Sequence, residues 1–310
     1  PNRGSVENPK TGYRSKISHE TEIASPGFYA IDLDDYNIKA EMTSTLRTGI
    51  LRFTFPENKT NRIQIDLARR IGGTSVKQYI KVLDDHRIEG WMKYTPEGGG
   101  WGNGKTNMVF YTVYFSAEFS KPFSEHGIWS ANIPKAQSRK AQDIVTEEYQ
   151  TLIKNSEVKP SLNELEGEHL GFYAEYPDLK DGDQILFKAG ISFVDQAGAR
   201  NNLKTELNHW DFNKVLSDAE NAWTKQLDLI KIEGATEKQK EIFYTSMYHA
   251  QMDPRDFTDV DGRFYLKESG INEATDFNYR TIFSGWDAFR SHIPLLTIIA
   301  PNSVNELVNS

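Results

Sequence analysis

The chain contains no cysteine, which excludes disulfides, thiolate zinc sites and cysteine nucleophiles. It also lacks an apolar run long enough to cross a bilayer. The longest strongly apolar stretch, residues 293–301, contains two prolines, whereas a membrane-spanning helix needs about 20 apolar residues. No secretory signal peptide is visible. We therefore expect no membrane span from these residues.

Positive charge is in deficit. The 44 acidic residues outnumber the 36 basic residues, giving a formal net charge of −8. This balance argues against a nucleic-acid partner, because phosphate binding needs a basic surface. A neutral glycan is compatible with it. Aromatic residues make up 12% of the chain, which suits both packed β-sandwiches and sugar-binding clefts.

Alternation of apolar and polar side chains dominates the chain up to about residue 194. Leu51, Phe53 and Phe55, for example, are separated by polar residues. Short strands at close spacing with turn residues between them indicate an antiparallel β-sandwich. A loop is predicted around residues 159–161, within the polar stretch 142–168. Further strands are predicted at 63–67, 76–82, 87–94, 106–120 and 183–194.

Helical spacing replaces the alternation after Asp195. The apolar positions with this spacing are Leu203, Leu207, Trp210, Val215, Leu216, Ala219, Trp223 and Leu227. Asp211 is a predicted N-cap, and Gly234 ends the segment after that helix. Thr236 and Gln239 form a capping-box pattern, which predicts a helix through about His249.

Another helix is predicted over 284–299, with Pro294 ending or kinking its first part. Strands followed by helices predict a multidomain β-then-α chain. We expect an N-terminal β-sandwich at 1–194, a helical linker at 195–235 and a helical domain at 236–310.

Residues 284–293 place Trp286, Asp287 and Arg290 in an otherwise apolar segment. A carboxylate there is costly unless it is paired, and on a helix Asp287 and Arg290 would share a face. Trp286 offers a flat apolar wall with one N–H donor, which suits a sugar ring. On chemistry alone, a structural ion pair in a core helix is an equal alternative.

Residues 281–301 resemble the signature of the glycoside hydrolase family 92 α-mannosidases, a Phe-Ser-x-Trp-Asp-x-Phe-Arg-x-x-x-Pro-Leu-Leu run. Three further segments resemble the same family in the same order: 18–45, 190–203 and 243–265. The resemblance implies a β-sandwich followed by an (α/α)6 barrel, so 236–310 would be the start of that barrel. We expect the sandwich to be incomplete at its N-terminus and the barrel to be truncated.

The resemblance also implies an exo-acting, inverting, calcium-dependent α-mannosidase that acts on mannose-containing glycans, with an expected α-1,2 preference and a role in N-glycan degradation. By resemblance, Asp287 binds hydroxyls of the terminal mannose, and Trp286 lines the same subsite with Arg290 beside it. The general acid, general base and calcium ligands are expected outside this chain, so no catalytic or metal residue is assigned, and the chain alone is expected to be inactive. A bacterial periplasmic or secreted location is expected.

Two weaker candidates lie elsewhere. Trp101, on the glycine-rich loop 97–105, is a candidate for stacking on a sugar ring. His249 is interpreted as a satisfied core or helix-end histidine, because the preceding helix has an apolar face.

The acidic segment 256–262 resembles part of a calcium loop. Asp259, Asp261 and Gly262 match positions three, five and six, and Glu268 matches position twelve. Phe257 stands at position one, where an oxygen ligand is required. We therefore interpret Asp259 and Asp261 as holding a tight turn through Asx hydrogen bonds, with Gly262 at positive φ.

Two alternatives remain open. The first is a non-catalytic carbohydrate-binding β-sandwich module. The second is another (α/α)6 carbohydrate enzyme, such as a phosphorylase.

Overall fold

The computed structural model describes residues 15–58, 60–68, 74–95, 111–130, 156–282 and 284–310. Trp101 and residues 106–110 of the predicted aromatic strand lie outside these ranges. The strands of the N-terminal part are β1 Ile23–Ser25, β2 Phe28–Leu33, β3 Ile38–Ser44, β4 Thr48–Phe55, β5 Arg62–Asp66, β6 Thr74–Val82, β7 Arg87–Thr95, β8 Tyr111–Phe119, β9 Glu125–Ser130, β10 Glu157–Pro160, β11 Glu164–Gly167, β12 Leu170–Glu175 and β13 Asp183–Ser192.

The remaining elements are α1 Gln196–Glu206, α2 Phe212–Leu227, α3 Glu237–Ala250, β14 Arg255–Asp256, β15 Arg263–Leu266, β16 Gly270–Glu273, β17 Arg280–Thr281, α4 Gly285–Ala288, α5 His292–Ile299 and α6 Pro301–Asn309. The strands β1–β13 thus precede the helices, as the change of period predicts, whereas the short strands β14–β17 lie between α3 and α4 and were not predicted. Within the described residues, no helix is long and apolar enough to cross a membrane.

Two antiparallel sheets form the N-terminal part. The larger has nine strands in the order β1-β2-β3-β4-β13-β8-β7-β6-β11, and the smaller has four in the order β10-β9-β12-β5. Phe119, Phe172 and Ile128 are buried between them at the centre of the main apolar core. Apolar and polar residues alternate along the strands, and the apolar side chains point into this core. The predicted β-sandwich is confirmed.

Helices α1 and α2 cover the other face of the larger sheet. Ile50 of β4 joins Leu203, Leu207, Phe212 and Val215 in a second apolar cluster there. Phe53 and Phe55 of the same strand point to the opposite face of the larger sheet, into the core between the two sheets. A sheet that is buried on both faces explains why β4 contains apolar residues at consecutive positions.

Helix α1 packs closely onto β13, and a glycine makes the contact possible. A Cβ at Gly190 would lie 2.7 Å from the Cβ of Leu203 and 2.7 Å from the backbone oxygen of Ala199. Any larger residue would therefore push α1 away from the sheet.

The predicted caps are confirmed. Asp211 accepts a hydrogen bond from the Lys214 backbone N–H at 3.0 Å and begins α2. Thr236 and Gln239 make both bonds of a capping box at the start of α3. Each cap satisfies backbone N–H groups that have no partner within the helix.

The loop predicted around 159–161 is replaced in part by strands. β10 ends at Pro160 and lies at the edge of the smaller sheet, and β11 lies at the edge of the larger one. Ser161, with φ of 57°, forms the turn after β10. Edge strands tolerate polar residues and proline, since one side needs no hydrogen-bonded neighbour, so the polar composition here concealed them.

The helix predicted over 284–299 forms with an interruption, as expected, but the interruption lies before Pro294 rather than at it. The segment is divided into α4 and α5, and residues 289–291 form a turn between them. The break precedes Pro294, which lies in the first turn of α5. Proline is tolerated there because the N–H it lacks would have no partner within the helix.

Candidate functional site

A cavity of about 450 Å³ lies in the helical part of the chain. Its volume falls within the range of about 300–1,000 Å³ that is typical of small-molecule sites. Among the described residues, those that line the cavity come from 249–295 and not from the sandwich. They are His249, Ala250, Asp253, Ile282, Ser284, Asp287, Ala288, Ser291, His292 and Leu295.

Three helices, α3, α4 and α5, and the paired strands β14 and β17 converge on this cavity. Helix α3 ends at Ala250, and the Nε2 atom of His292 lies 2.6 Å from the Ala250 carbonyl oxygen. This hydrogen bond ties the start of α5 to the end of α3. The pairing of β14 with β17 brings Asp253 and Ile282 to the same wall, because they lie just before and just after the paired strands.

Asp287 is exposed in α4 and lines the cavity. Within the described residues its carboxylate has no hydrogen bond or ion pair, so the expected pair with Arg290 is not formed. The Arg290 guanidinium instead lies 5.5 Å from the ring centre of Phe289 and 6.0 Å from that of Trp286. The expected pair required residues 287 and 290 to lie in one helix. Because α4 ends at Ala288, Arg290 lies outside the helix and does not share a face with Asp287.

Trp286 is 74% exposed and is not among the residues that line the cavity. Its ring centre lies 6.3 Å from that of Phe289. The proposed roles of Trp286 and Arg290 at a sugar subsite therefore stay predictions. The same is true of Trp101, which lies outside the described residues.

His249 was interpreted as a core or a helix-end histidine. It occupies the last turn of α3 and is exposed, so it is a helix-end residue and not a core residue. Of the four titratable side chains in the cavity wall, two are engaged by the protein. His292 bonds to the Ala250 carbonyl, and Asp253 Oδ1 lies 3.0 Å from Arg255 Nε, an ion-pair distance without hydrogen-bond geometry. Within the described residues, His249 and Asp287 have no hydrogen-bond partner, so both are available to a ligand.

The acidic turn is confirmed in part. Gly262 has φ of 85° and donates its backbone N–H to the Asp259 carbonyl oxygen at 2.9 Å. Asp261 makes the expected Asx bond, accepting from the Arg263 backbone N–H at 3.2 Å. Asp259 does not. Its carboxylate is buried, 4% exposed, and accepts from Ser192 Oγ at 2.6 Å and Asn202 Nδ2 at 2.8 Å.

Burial raises the pKa of Asp259 above its ordinary value, although the hydrogen bonds from Ser192 and Asn202 act in the opposite direction. The carboxylate therefore joins β13 and α1 to the turn. Glu268 lies exposed next to β15. The contacts of Asp261 and Gly262 fit the tight turn, and we assign no metal ligand in this segment.

A second acidic group lies in the sandwich. Within the described ranges, one group of at least three potential ligands lies close together: Asp84, Asp85 and His86, between β6 and β7 of the sandwich. Asp84 is already paired with Arg87 at 2.7 Å, and His86 Nδ1 lies 2.8 Å from Asp85 Oδ1. The group is separate from the cavity, and we assign no metal ligand.

Two of the cavity residues, Asp253 and His292, were not singled out by the sequence. Asp253 lies in an Asp-Pro dipeptide within 243–265, and His292 lies in a Ser-His dipeptide within 281–301. Neither dipeptide has a spacing that indicates a site without the fold.

A β-sandwich followed by helices, with carboxylate and histidine side chains in the wall of a cavity in the helical part, defines a two-part chain with a candidate small-molecule site. Comparison with known families specifies the class further. The chain belongs to glycosyl hydrolase family 92: the N-terminal domain of that family matches residues 1–192 and its catalytic domain matches residues 198–310.

Solved structures of the family share this fold. The family GH92 α-mannosidase BT3965 from Bacteroides thetaiotaomicron is 32% identical, with a TM-score of 0.82 over 100% of this chain and 38% of its own. It is also known in complex with mannoimidazole. The inverting mannosidase BT2199 from the same species is 20% identical, with a TM-score of 0.75 over 95% of this chain and 36% of its own, and shows the fold.

A curated relative from Arthroderma benhamiae, described as an uncharacterized secreted glycosidase, is 27% identical over 261 residues, which are 79% of this chain and 30% of that protein. The chain therefore spans about a third of the length of these relatives.

Proposed function

We propose that the full-length protein containing this chain is an exo-acting α-mannosidase that removes terminal mannose from glycans with inversion and prefers α-1,2 linkages. Membership of family 92 and the names of the structural neighbours support this proposal. The observation that carries it is the unpaired Asp287 carboxylate in the wall of a cavity of suitable volume. The complex of BT3965 with mannoimidazole supports mannose as the bound sugar.

Asp287 would act as a fixed hydrogen-bond acceptor for two hydroxyls of the terminal sugar. An ionised carboxylate accepts only, so each hydroxyl must turn its O–H toward it. The lone pairs of the hydroxyls are then free to accept from a donor such as an imidazole N–H of His249, which shares the cavity. This arrangement favours one hydroxyl geometry and leaves a polar group unpaired with another sugar.

Further parts of the proposal rest on the family. The general acid and base are expected in the part of the relatives' length that this chain does not span. Calcium dependence is proposed on the same basis, with no ligand assigned here. A secreted or bacterial periplasmic protein is proposed, in line with the description of the fungal relative. The barrel assignment of 236–310 and the domain limits at 194 and 235 likewise remain proposals.

Substitution of Asp287 tests the central role. Two hydrogen bonds to a charged group contribute about 3–6 kcal/mol, so Asp287→Ala in the full-length protein should lower kcat/KM for an α-mannoside on the order of 10²–10⁴-fold. Asp218→Ala removes an exposed carboxylate of α2 and is the matched control, which should leave kcat/KM unchanged. Near-normal turnover by the Asp287→Ala enzyme would refute the role.

The same assay tests the chemistry. Removal of calcium by a chelator should abolish hydrolysis, and restoring calcium should recover it. Proton NMR of the first product should show the β-anomer, as inversion requires. Cleavage that depends on phosphate and yields a sugar phosphate would instead favour the phosphorylase alternative.

A further inference from the structure

We propose that Arg47, in the turn between β3 and β4 of the sandwich, is a positioning residue for the cavity wall in the helical part. The expected effect on sugar binding rests on the proposed function. The claim that Arg47 holds the wall in place rests on the contacts described below. Arg47 is more than 200 positions from the segment that it holds.

The segment is a two-stranded ribbon, defined as residues 255–258 and 279–281. Asp256 pairs with Arg280 in the register of β14 and β17. Beyond the strands, the Phe257 N–H donates to the Tyr279 carbonyl oxygen at 2.9 Å, and the Tyr279 N–H donates to Thr258 Oγ1 at 2.6 Å.

One end of the ribbon continues directly into the cavity wall. Asp253 lies two residues before β14, while Ile282 directly follows β17 and leads through Ser284 into α4, which carries Asp287. Arg280 also donates to the Pro254 carbonyl oxygen at 3.2 Å, which links the two strands at this end. A shift of the ribbon would therefore move both sides of the wall that includes Asp287.

Arg47 is fixed to the sandwich by contacts on its own side. Its backbone carbonyl accepts from the Ile191 N–H at 3.0 Å, and its backbone N–H donates to Glu206 Oε2 at 2.8 Å. Nη1 of the guanidinium donates to Glu206 Oε1, also at 2.8 Å. Glu206, at the end of α1, further accepts from Thr45 Oγ1 at 2.5 Å.

The remaining donors of the same guanidinium hold the ribbon. Nη2 donates to Asp256 Oδ2 at 3.3 Å, and Nε donates to the Thr258 carbonyl oxygen. The side chains of Arg47, Glu206 and Asp256 are 15%, 13% and 15% exposed, so solvent screens their charges little. One planar fork thus bridges the sandwich, α1 and the ribbon, a geometry that the single ammonium of lysine does not reproduce.

A second anchor holds the far side of the ribbon. Asp259 accepts from Ser192 and Asn202, and the Val260 N–H donates to Asn202 Oδ1 at 2.9 Å. This anchor fixes the chain just after Thr258. At the end that faces the cavity, Arg47 is the contact from the sandwich, because it reaches Asp256, three residues from Asp253. The opposite strand is held there from α6, where Glu306 accepts from Arg280 Nε at 2.5 Å.

The first experiment needs no substrate. Amide hydrogen exchange of this chain should be about tenfold faster in the ribbon and α4 for Arg47→Met and for Asp256→Asn. The reason is that local opening is favoured when the hydrogen bonds between Arg47 and the ribbon are lost. Asp256→Asn keeps the side-chain shape and protects the test if Arg47→Met folds poorly. Arg52→Met is the matched control: Arg52 bonds Glu41 at 2.7 and 2.8 Å on the same sandwich and is 19% exposed, but does not contact the ribbon. Unchanged ribbon exchange in the folded Arg47 and Asp256 variants would overturn the proposal.

The second experiment uses the full-length protein. Arg47→Met and Asp256→Asn should raise KM for an α-mannoside and weaken mannoimidazole binding in parallel, each by about tenfold or more, because a displaced wall misplaces the sugar contacts. Arg47→Lys should fall between Arg47→Met and the wild type, and Arg52→Met should leave both constants unchanged. A loosened ribbon with unchanged KM, in an enzyme that Asp287→Ala inactivates, would overturn the positioning role and leave the proposed function intact. Absence of mannoside hydrolysis by the wild type would refute the proposed function. The exchange experiment would still show whether Arg47 and Asp256 hold the ribbon in place.

Discussion

Replacement of Gly198 by alanine is expected to destabilise the junction between the sandwich and the helical part. Gly198 is buried in the first turn of α1, where alanine would ordinarily be favoured over glycine by about 1 kcal/mol. Here an added Cβ would lie 2.1 Å from Asp259 Oδ2 and 2.6 Å from Ser192 Oγ. The first distance is about 1.3 Å short of the ordinary contact distance of 3.4 Å.

The magnitude follows from what must move. If the Asp259 carboxylate swings away, it loses the hydrogen bonds from Ser192 and Asn202, which contribute about 1.5–3 kcal/mol each as bonds to a charged group. Relief of carboxylate burial and the helix propensity of alanine offset part of this loss. We expect a net decrease of about 2–4 kcal/mol in the free energy of unfolding, in the upper range for an overpacked core.

Urea denaturation of this chain, followed by tryptophan fluorescence, measures the change. Gly285→Ala is the control, because no described atom beyond its chain neighbours and its own helix lies within 4 Å of the added Cβ, and it should not lower the free energy of unfolding, since helix propensity favours alanine by up to about 1 kcal/mol. Asp259→Ala should make room, so Gly198→Ala should cost less than about 1 kcal/mol in that background. A Gly198→Ala protein as stable as the wild type would show that this close contact does not exist.

Two further predictions concern pH and helix capping. The hydrogen bond from Arg263 holds the pKa of Asp195 below its ordinary value of 3.8. The resulting stabilisation is fully present above pH 3.8 and is lost as the pH falls through the lowered pKa. Asp195→Asn should therefore make the free energy of unfolding depend less on pH in the acid range, and an unchanged pH dependence would contradict the assignment. Thr236→Ala removes the capping box of α3 and should cost about 1 kcal/mol, seen in urea denaturation and as faster amide exchange in the first turn of α3, whereas unchanged exchange there would show that the cap contributes little.

Much of the fold could be predicted because its causes are local. Alternation in β5, where Gln64 separates Ile63 from Ile65, reports which face of the strand is buried, and a capping residue acts within three positions, as Asp211 and Thr236 do. Edge strands such as β10 carry no such pattern, since one of their sides has no neighbouring strand. That is why the polar stretch was predicted as a loop.

The candidate site could be predicted only in part. The Trp-Asp-x-Phe-Arg run identified Asp287 through its resemblance to a family, while helical spacing suggested a partner for it at Arg290. The early end of α4 separates the two side chains, leaving Asp287 without a partner within the described residues. Trp286, the immediate neighbour of Asp287, does not line the cavity. Adjacent residues on a helix point in different directions, so sequence proximity did not bring both to one site.

The sequence by itself thus determined the order of strands and helices, the caps and the family, because each depends on residues within a few positions or on a contiguous signature. Tertiary structure alone decided that Asp259 is buried against Ser192 and Asn202, that His249 shares a cavity with Asp287, and that Arg47 holds the ribbon. The residues brought together in this way are from 38 to 211 positions apart. Formation of these contacts depends on how α1 and the ribbon pack against the sandwich, and no local pattern in the chain encodes that packing.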